Sequence, residues 1–84
     1  MPPERMLNLG PVSRKWLERV GIRDLETLKA VGAVEAWHRV YETGVNPTLN
    51  LLYGLEGAIQ GVRWDELDEQ DRARLRASIQ KDFA

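Results

Sequence analysis

The residues of this chain whose types and spacing could do chemistry lie near its start, where a turn opens onto a helix. Gly10 is followed by Pro11, and proline suits the first helical turn because its φ is already helical and it has no N–H. The first N–H groups of a helix lack partners within it and, at the positive end of the helix dipole, they bind phosphate. The spacing therefore predicts a phosphate-binding site formed by Leu9, Gly10, Val12, Ser13, Arg14 and Lys15.

The uneven distribution of charge also points to this half of the chain. Residues 1–40 hold seven Lys/Arg and five Asp/Glu, whereas residues 41–84 hold five and eight. Arg19 and Arg23 extend the basic region beyond the predicted site. Because the net charge is only −1, no strong global field draws the protein to nucleic acid or to an anionic membrane. Anion binding is therefore expected to be local.

Residue types that would support catalysis or a metal site are few. The chain has no cysteine, which excludes disulfides, thiolate zinc sites and thiol nucleophiles. Its one histidine, His38, is interpreted as a surface or half-buried helix residue, and neither Ser13 nor Ser78 lies in a nucleophile-elbow pattern. We therefore expect no enzyme activity, no cofactor and no metal.

Two further patterns have structural interpretations. The glycines at 54, 57 and 61 are not a phosphate loop because no Lys-Ser/Thr pair follows them. An acidic cluster lacks the spacing of a calcium loop and fits the charges that favour a helix N-terminus. Its members are Asp65, Glu66, Asp68, Glu69 and Asp71.

Helical signals predict an all-α fold, a compact bundle of about five short helices in a single domain over residues 1–84. Residues 1–6 are expected to be a flexible or loosely packed N-terminus. Glycine and capping residues predict helices that begin at Pro11, after Asp24, at Ala33, near Thr48 and near Asp68. The helix near 48–60 is apolar on most sides and is predicted to be central, with Glu56 paired to Asn50 or to an arginine of another helix. Residues 63–67 are predicted to form a turn anchored by Trp64.

No segment is predicted to enter a membrane. The most apolar stretch, residues 49–62, carries Glu56 and Gln60 and is shorter than the roughly 20 apolar residues that a span needs. The first residues lack the apolar run of a signal peptide. A cytoplasmic location is therefore expected.

Two resemblances follow from these residues. The run from Asn8 to Leu28 resembles the second half of a helix-hairpin-helix unit, whose Gly-hydrophobic-Gly hairpin is Asn8-Leu9-Gly10 here. Nearly the whole chain, residues 7–80, is similar to the C-terminal domain of the TfoX (Sxy) competence regulators. The matching landmarks are Leu9-Gly10-Pro11, Trp16-Leu17, Val20-Gly21-Ile22, Leu25, Leu28, Gly32-Ala33-Val34, Leu49 to Tyr53, Leu55-Glu56-Gly57, Trp64 and Leu67.

The second resemblance implies a helix-hairpin-helix or SAM-like fold and a role in transcription of DNA-uptake genes. It leaves two functions open. The first is a DNA-associated regulatory module that contacts the phosphate backbone weakly and without sequence preference. The second is a SAM-like protein-interaction module, whose partner would be another regulatory protein or a second copy. The exposure of Trp16, Trp37 and Trp64 discriminates between them, since an exposed tryptophan favours the second. No small-molecule substrate is expected.

Overall fold

The helices of the chain begin and end at residues whose backbone or side chain suits those positions. The computed structural model describes residues 9–79, so the N-terminus predicted over residues 1–6 lies outside the described part. Within that part the chain forms five α-helices, one 3₁₀ turn and no strand, which confirms the predicted all-α fold. The elements are α1 (Pro11–Arg19), α2 (Leu25–Val31), α3 (Ala33–Glu42), α4 (Leu49–Gln60), the 3₁₀ turn (Trp64–Glu66) and α5 (Glu69–Ile79).

The turn after α1 sets the direction of α2. Gly21 adopts a φ of +83°, a conformation that glycine tolerates and other residues rarely adopt. Its N–H donates to the carbonyl of Glu18 at 3.1 Å, and the N–H of Ile22 donates to the carbonyl of Leu17 at 2.9 Å. This pair of bonds is a Schellman motif, which closes the helix and turns Ile22 into the core, where it is fully buried.

Asp24 caps α2 as the sequence predicts. Its Oδ1 accepts a hydrogen bond from the Thr27 N–H at 2.7 Å, and hydrogen bonding from Thr27 lowers the pKa of the Asp24 carboxyl. Gly32, at φ +91°, ends α2 and also precedes the first residue of α3. A one-residue connection therefore holds these two helices at a fixed angle.

The apolar helix α4 lies at the centre of the bundle and contacts α2, α3, α5 and the 3₁₀ turn. Leu52 and Leu55 are fully buried on it. Its N-terminus is fixed from outside the helix, because the indole N–H of the buried Trp37 donates to the carbonyl of Thr48 at 3.1 Å. The Thr48 hydroxyl in turn accepts from the N–H of Leu51 at 3.3 Å and caps α4.

Polar contacts hold α5 against α4. The Arg74 guanidinium lies 3.4 Å from Glu56, which confirms an arginine of another helix as the partner of that carboxylate. Arg76 donates to the Tyr53 hydroxyl at 3.0 Å and to Glu69 at 2.7 Å. The hydrogen bond and charge of Arg76 lower the pKa of Glu69. Glu69, a member of the predicted acidic cluster, therefore takes part in a structural contact.

The 3₁₀ turn differs from the prediction in its anchor. Leu67, directly after the turn, is buried at 5 % exposure, whereas Trp64 is 43 % exposed. A three-residue turn has no periodicity from which to tell its inner face. The prediction that Trp64 anchors the turn is therefore wrong, and Leu67 is the anchor.

The acids of this region cap backbone groups, since Glu66 accepts from the Arg63 N–H at 2.8 Å and Asp68 accepts from the Asp71 N–H at 2.8 Å.

Truncating the centre of α4 tests this account of the core. Leu52→Ala removes a fully buried side chain and is expected to lower the free energy of unfolding by about 2–5 kcal/mol, measured by urea denaturation. Val12→Ala is the matched control because Val12 is 60 % exposed, and it should change stability by less than about 0.5 kcal/mol. Equal losses in the two variants would contradict the placement of the core.

Candidate functional site

The N-terminus of α1 leaves backbone N–H groups available. Gly10 is the N-cap residue and has no side chain to cap the helix, and Pro11 has no N–H. The N–H of Arg14 donates to the carbonyl of Gly10 at 3.0 Å. Among residues 9–79 no acceptor is found for the N–H groups of Val12 and Ser13. These two donors point along the helix axis and can receive an anion.

Gly10 is not required by the backbone conformation of this turn. Its φ is −84°, which any residue adopts, and a Cβ at this position would meet no atom within 4 Å. Gly21, at φ +83°, is different because a side chain there would be strained. The missing side chain at position 10 instead leaves the backbone beside the two N–H groups accessible to a ligand.

The structure brings most of the predicted site residues together at this end of α1. Gly10, Val12, Arg14 and Lys15 are exposed, and Ser13 is half-buried. The side chain of Leu9 is the exception, because it is buried in the core at 7 % exposure and can offer a ligand only its backbone. Leu9 therefore anchors the turn to the core, and the residues after it form the accessible surface.

The cations of the chain divide into two groups by their contacts. Every described arginine from α3 onward has a partner: Arg39 pairs with Glu35, Arg63 with Asp65, Arg74 with Glu56 and Asp71, Arg76 with Glu69, and Arg72 donates to the Asp65 carbonyl. The side chains of Arg14, Lys15, Arg19, Arg23 and Lys29 are exposed and form no hydrogen bond or ion pair with residues 9–79. The positive charge of the first two helices is thus available to an external partner.

The position of Arg14 and Lys15 also lacks a structural reason. Negative side chains near a helix N-terminus are stabilising and positive ones are not. The first turns of α2, α3 and α5 carry acids, whereas those of α1 and α4 carry none. Two cations close to the positive end of α1 therefore do not help the helix to form, which favours a role in binding.

Sequence reasoning missed one unpaired cation of the first two helices. Lys29 in the last turn of α2 is exposed and unpaired within the described residues, like the four cations before it. No spacing signal singles it out, since a lysine near a helix C-terminus is common for reasons of the dipole alone.

Within residues 9–79, no group of three or more His, Asp or Glu side chains could hold a metal ion. His38 is half-buried, with its ring edge-on to that of Trp37 at 5.6 Å between centroids. None of the helices in this part of the chain is long and apolar enough to cross a membrane.

Comparison with known proteins gives a family and two similar structures. The model of the TfoX C-terminal domain matches residues 4–79. An uncharacterized protein from Listeria monocytogenes, solved in a triclinic form, is 38 % identical with a TM-score of 0.82 over 87 % of this chain and 83 % of its own. A protein of unknown function from the same organism, in a tetragonal form, is 37 % identical with a TM-score of 0.87 over 93 % of this chain and 96 % of its own. No protein of curated function matches the chain.

A negative charge placed in the first turn of α1 tests whether its N–H groups are available. Ser13→Glu is expected to raise the free energy of unfolding by about 0.3–1 kcal/mol relative to Ser13→Gln, because only the charged side chain interacts favourably with the positive end of the helix. Urea denaturation of the two variants at low salt measures the difference. A less stable Ser13→Glu would show that the first turn is already satisfied.

Proposed function

Because the chain belongs to the TfoX C-terminal domain family, we propose that it is a non-catalytic regulatory module that contacts the phosphate backbone of DNA. The contact is made by Gly10, Val12 and Ser13 through their backbone, with Arg14 and Lys15 neutralising phosphate charge. The module acts in the cytoplasm, in the control of genes for DNA uptake. Its binding is indifferent to sequence, because backbone contacts position a protein on DNA without reading bases.

The observation that carries this proposal is the combination of available donors and unpaired cations at one helix end. The N–H groups of Val12 and Ser13 have no acceptor within residues 9–79, and the neighbouring Arg14 and Lys15 have no ion-pair partner there. All described arginines of the second half have partners. Phosphate is a ligand that satisfies both kinds of group at once.

A site of this size binds weakly on its own. Non-specific protein–DNA affinities extend to dissociation constants of about 10⁻⁴ M at physiological salt, and few phosphates are neutralised here. A second copy of the chain, or another regulatory protein that binds the same DNA, would raise the effective affinity by bringing a second contact. The proposed function therefore includes one such protein partner.

A protein-interaction module without DNA binding is the second candidate. It is favoured by exposed aromatic side chains, since Trp64 is 43 % and Tyr41 38 % exposed, whereas Trp37 is fully buried. Tryptophan and tyrosine are enriched where proteins bind one another. Against it, the charged neighbours of Trp64 serve the local structure, as Asp65 pairs with Arg63 at 3.1 Å.

Charge reversal at the site separates the two candidates. Arg14→Glu with Lys15→Glu is expected to abolish binding to a short mixed-sequence duplex, followed by fluorescence anisotropy at low salt. The matched control is Arg39→Glu with Arg63→Glu, which changes the net charge of the protein by the same amount. Arg39 lies on α3, and Arg63 directly precedes the 3₁₀ turn. Those two arginines form exposed ion pairs that contribute about 0–1 kcal/mol each, so the control should stay folded.

Three outcomes decide the question. Loss of binding in the first variant only, with wild-type affinity falling as salt is added, supports the proposal. Equal loss in both variants would mean that net charge rather than this site attracts the duplex. If the wild-type protein does not bind duplex at millimolar concentration, direct DNA contact is ruled out and the protein-interaction function stands.

A further inference from the structure

Three exposed residues share one face of α1. Val12, Lys15 and Arg19 are three and four residues apart, the spacing that places side chains next to one another along a helix. All three are exposed, whereas Leu17, on the opposite side of the helix, is fully buried. We call these three residues the α1 stripe.

The fold does not account for two members of the α1 stripe. Val12 is 60 % exposed, more than any other large apolar residue described. Lys15 has no ion-pair partner in residues 9–79, although Glu18 lies three residues further along the helix at a spacing that permits pairing. On α3, where the acid lies four residues before the cation, Arg39 does pair with Glu35, at 3.0 Å. Only Arg19, in the last turn of α1, is explained by the helix dipole.

The dimensions of the α1 stripe suit a nucleic-acid backbone. Lys15 and Arg19 are four residues apart, which is about 6 Å along a helix axis. One strand of duplex DNA carries a phosphate about every 3.4 Å along the duplex axis, so two cations about 6 Å apart can each reach a phosphate of that strand. An apolar side chain such as that of Val12 has the sugar as its neighbour on such a backbone, and protein–DNA contacts include the sugars.

Other anionic partners fit less well. An amphipathic helix that binds a membrane surface needs a continuous apolar face, and the α1 stripe offers one valine followed by two cations. Single-stranded nucleic acid is bound on aromatic side chains against which bases stack, and the α1 stripe contains none. Duplex DNA, read through its backbone, is the partner that its chemistry favours.

We infer that the backbone contact continues along the α1 stripe, in which Lys15 and Arg19 each neutralise a phosphate of the same strand and the Val12 side chain packs on a sugar. This inference rests on the proposed function and extends it. The DNA lies along the length of α1, and contact does not end at the first helical turn. Arg19 becomes a binding residue, although it lies beyond the predicted site.

The salt dependence of binding tests the α1 stripe. Each neutralised phosphate contributes about 0.9 to the slope of log K against log salt concentration. Arg19→Gln should reduce the magnitude of that slope by about 0.9, measured by anisotropy with a short mixed-sequence duplex between about 50 and 200 mM salt. Each protein loses affinity as salt is raised over this range, and the fold-loss of the variant should be about 3.5 times smaller than that of the wild-type protein. Lys15→Gln should show the same change.

The control variant is Arg39→Gln, which removes the same charge from α3, and it should keep the wild-type slope. If Arg19→Gln keeps that slope as well, the inference is wrong, while the proposed function stands as long as Arg14→Glu with Lys15→Glu abolishes binding. Failure of the wild-type protein to bind duplex would overturn both proposals. Binding to phosphatidylserine vesicles but not to duplex would overturn them in favour of a membrane surface.

Discussion

The hydrogen bond from the Trp37 indole to the Thr48 carbonyl joins the buried face of α3 to the start of α4. Because the ring is fully buried, its N–H must find an acceptor inside the protein, and the one it finds immediately precedes α4. This bond fixes where α4 starts relative to α3. The positions of α2, α5 and the 3₁₀ turn follow, since all of them pack on α4. The helix α1, which packs on α3, is thereby presented at the edge of the bundle with its cations exposed.

Polar side chains are used differently in the two halves of the molecule. In the second half they join elements: Arg76 reaches the Tyr53 hydroxyl of α4, and Arg74 reaches Glu56. In the first half, apart from the Asp24 cap, the charged side chains of α1 and α2 have no hydrogen-bond or ion-pair partner among residues 9–79. This division means that a substitution of Arg14 or Lys15 removes no contact that holds the fold together. Loss of binding in such variants can therefore be attributed to the surface.

Local features of the fold could be predicted from the sequence because their causes are local. The Asp24 cap, the positive-φ stop at Gly21 and the apolar helix that begins after Thr48 each depend on residues a few positions apart. The burial of Leu9 and the exposure of Trp64 could not be predicted, because they depend on where the chain meets α3 and α4. The same holds for the candidate site. Its residue types were visible in the sequence, but whether a cation already had a partner is a property of the folded molecule.

We propose above all that the N-terminal end of α1 contacts the backbone of duplex DNA. An amide NMR titration of the isotope-labelled protein with a short mixed-sequence duplex at low salt tests it most directly. We expect the largest shifts to fall on Gly10, Val12 to Lys15 and Arg19, and we expect added salt to reverse them. An absence of shifts at millimolar duplex, or shifts centred on Trp64 and the 3₁₀ turn, would contradict it.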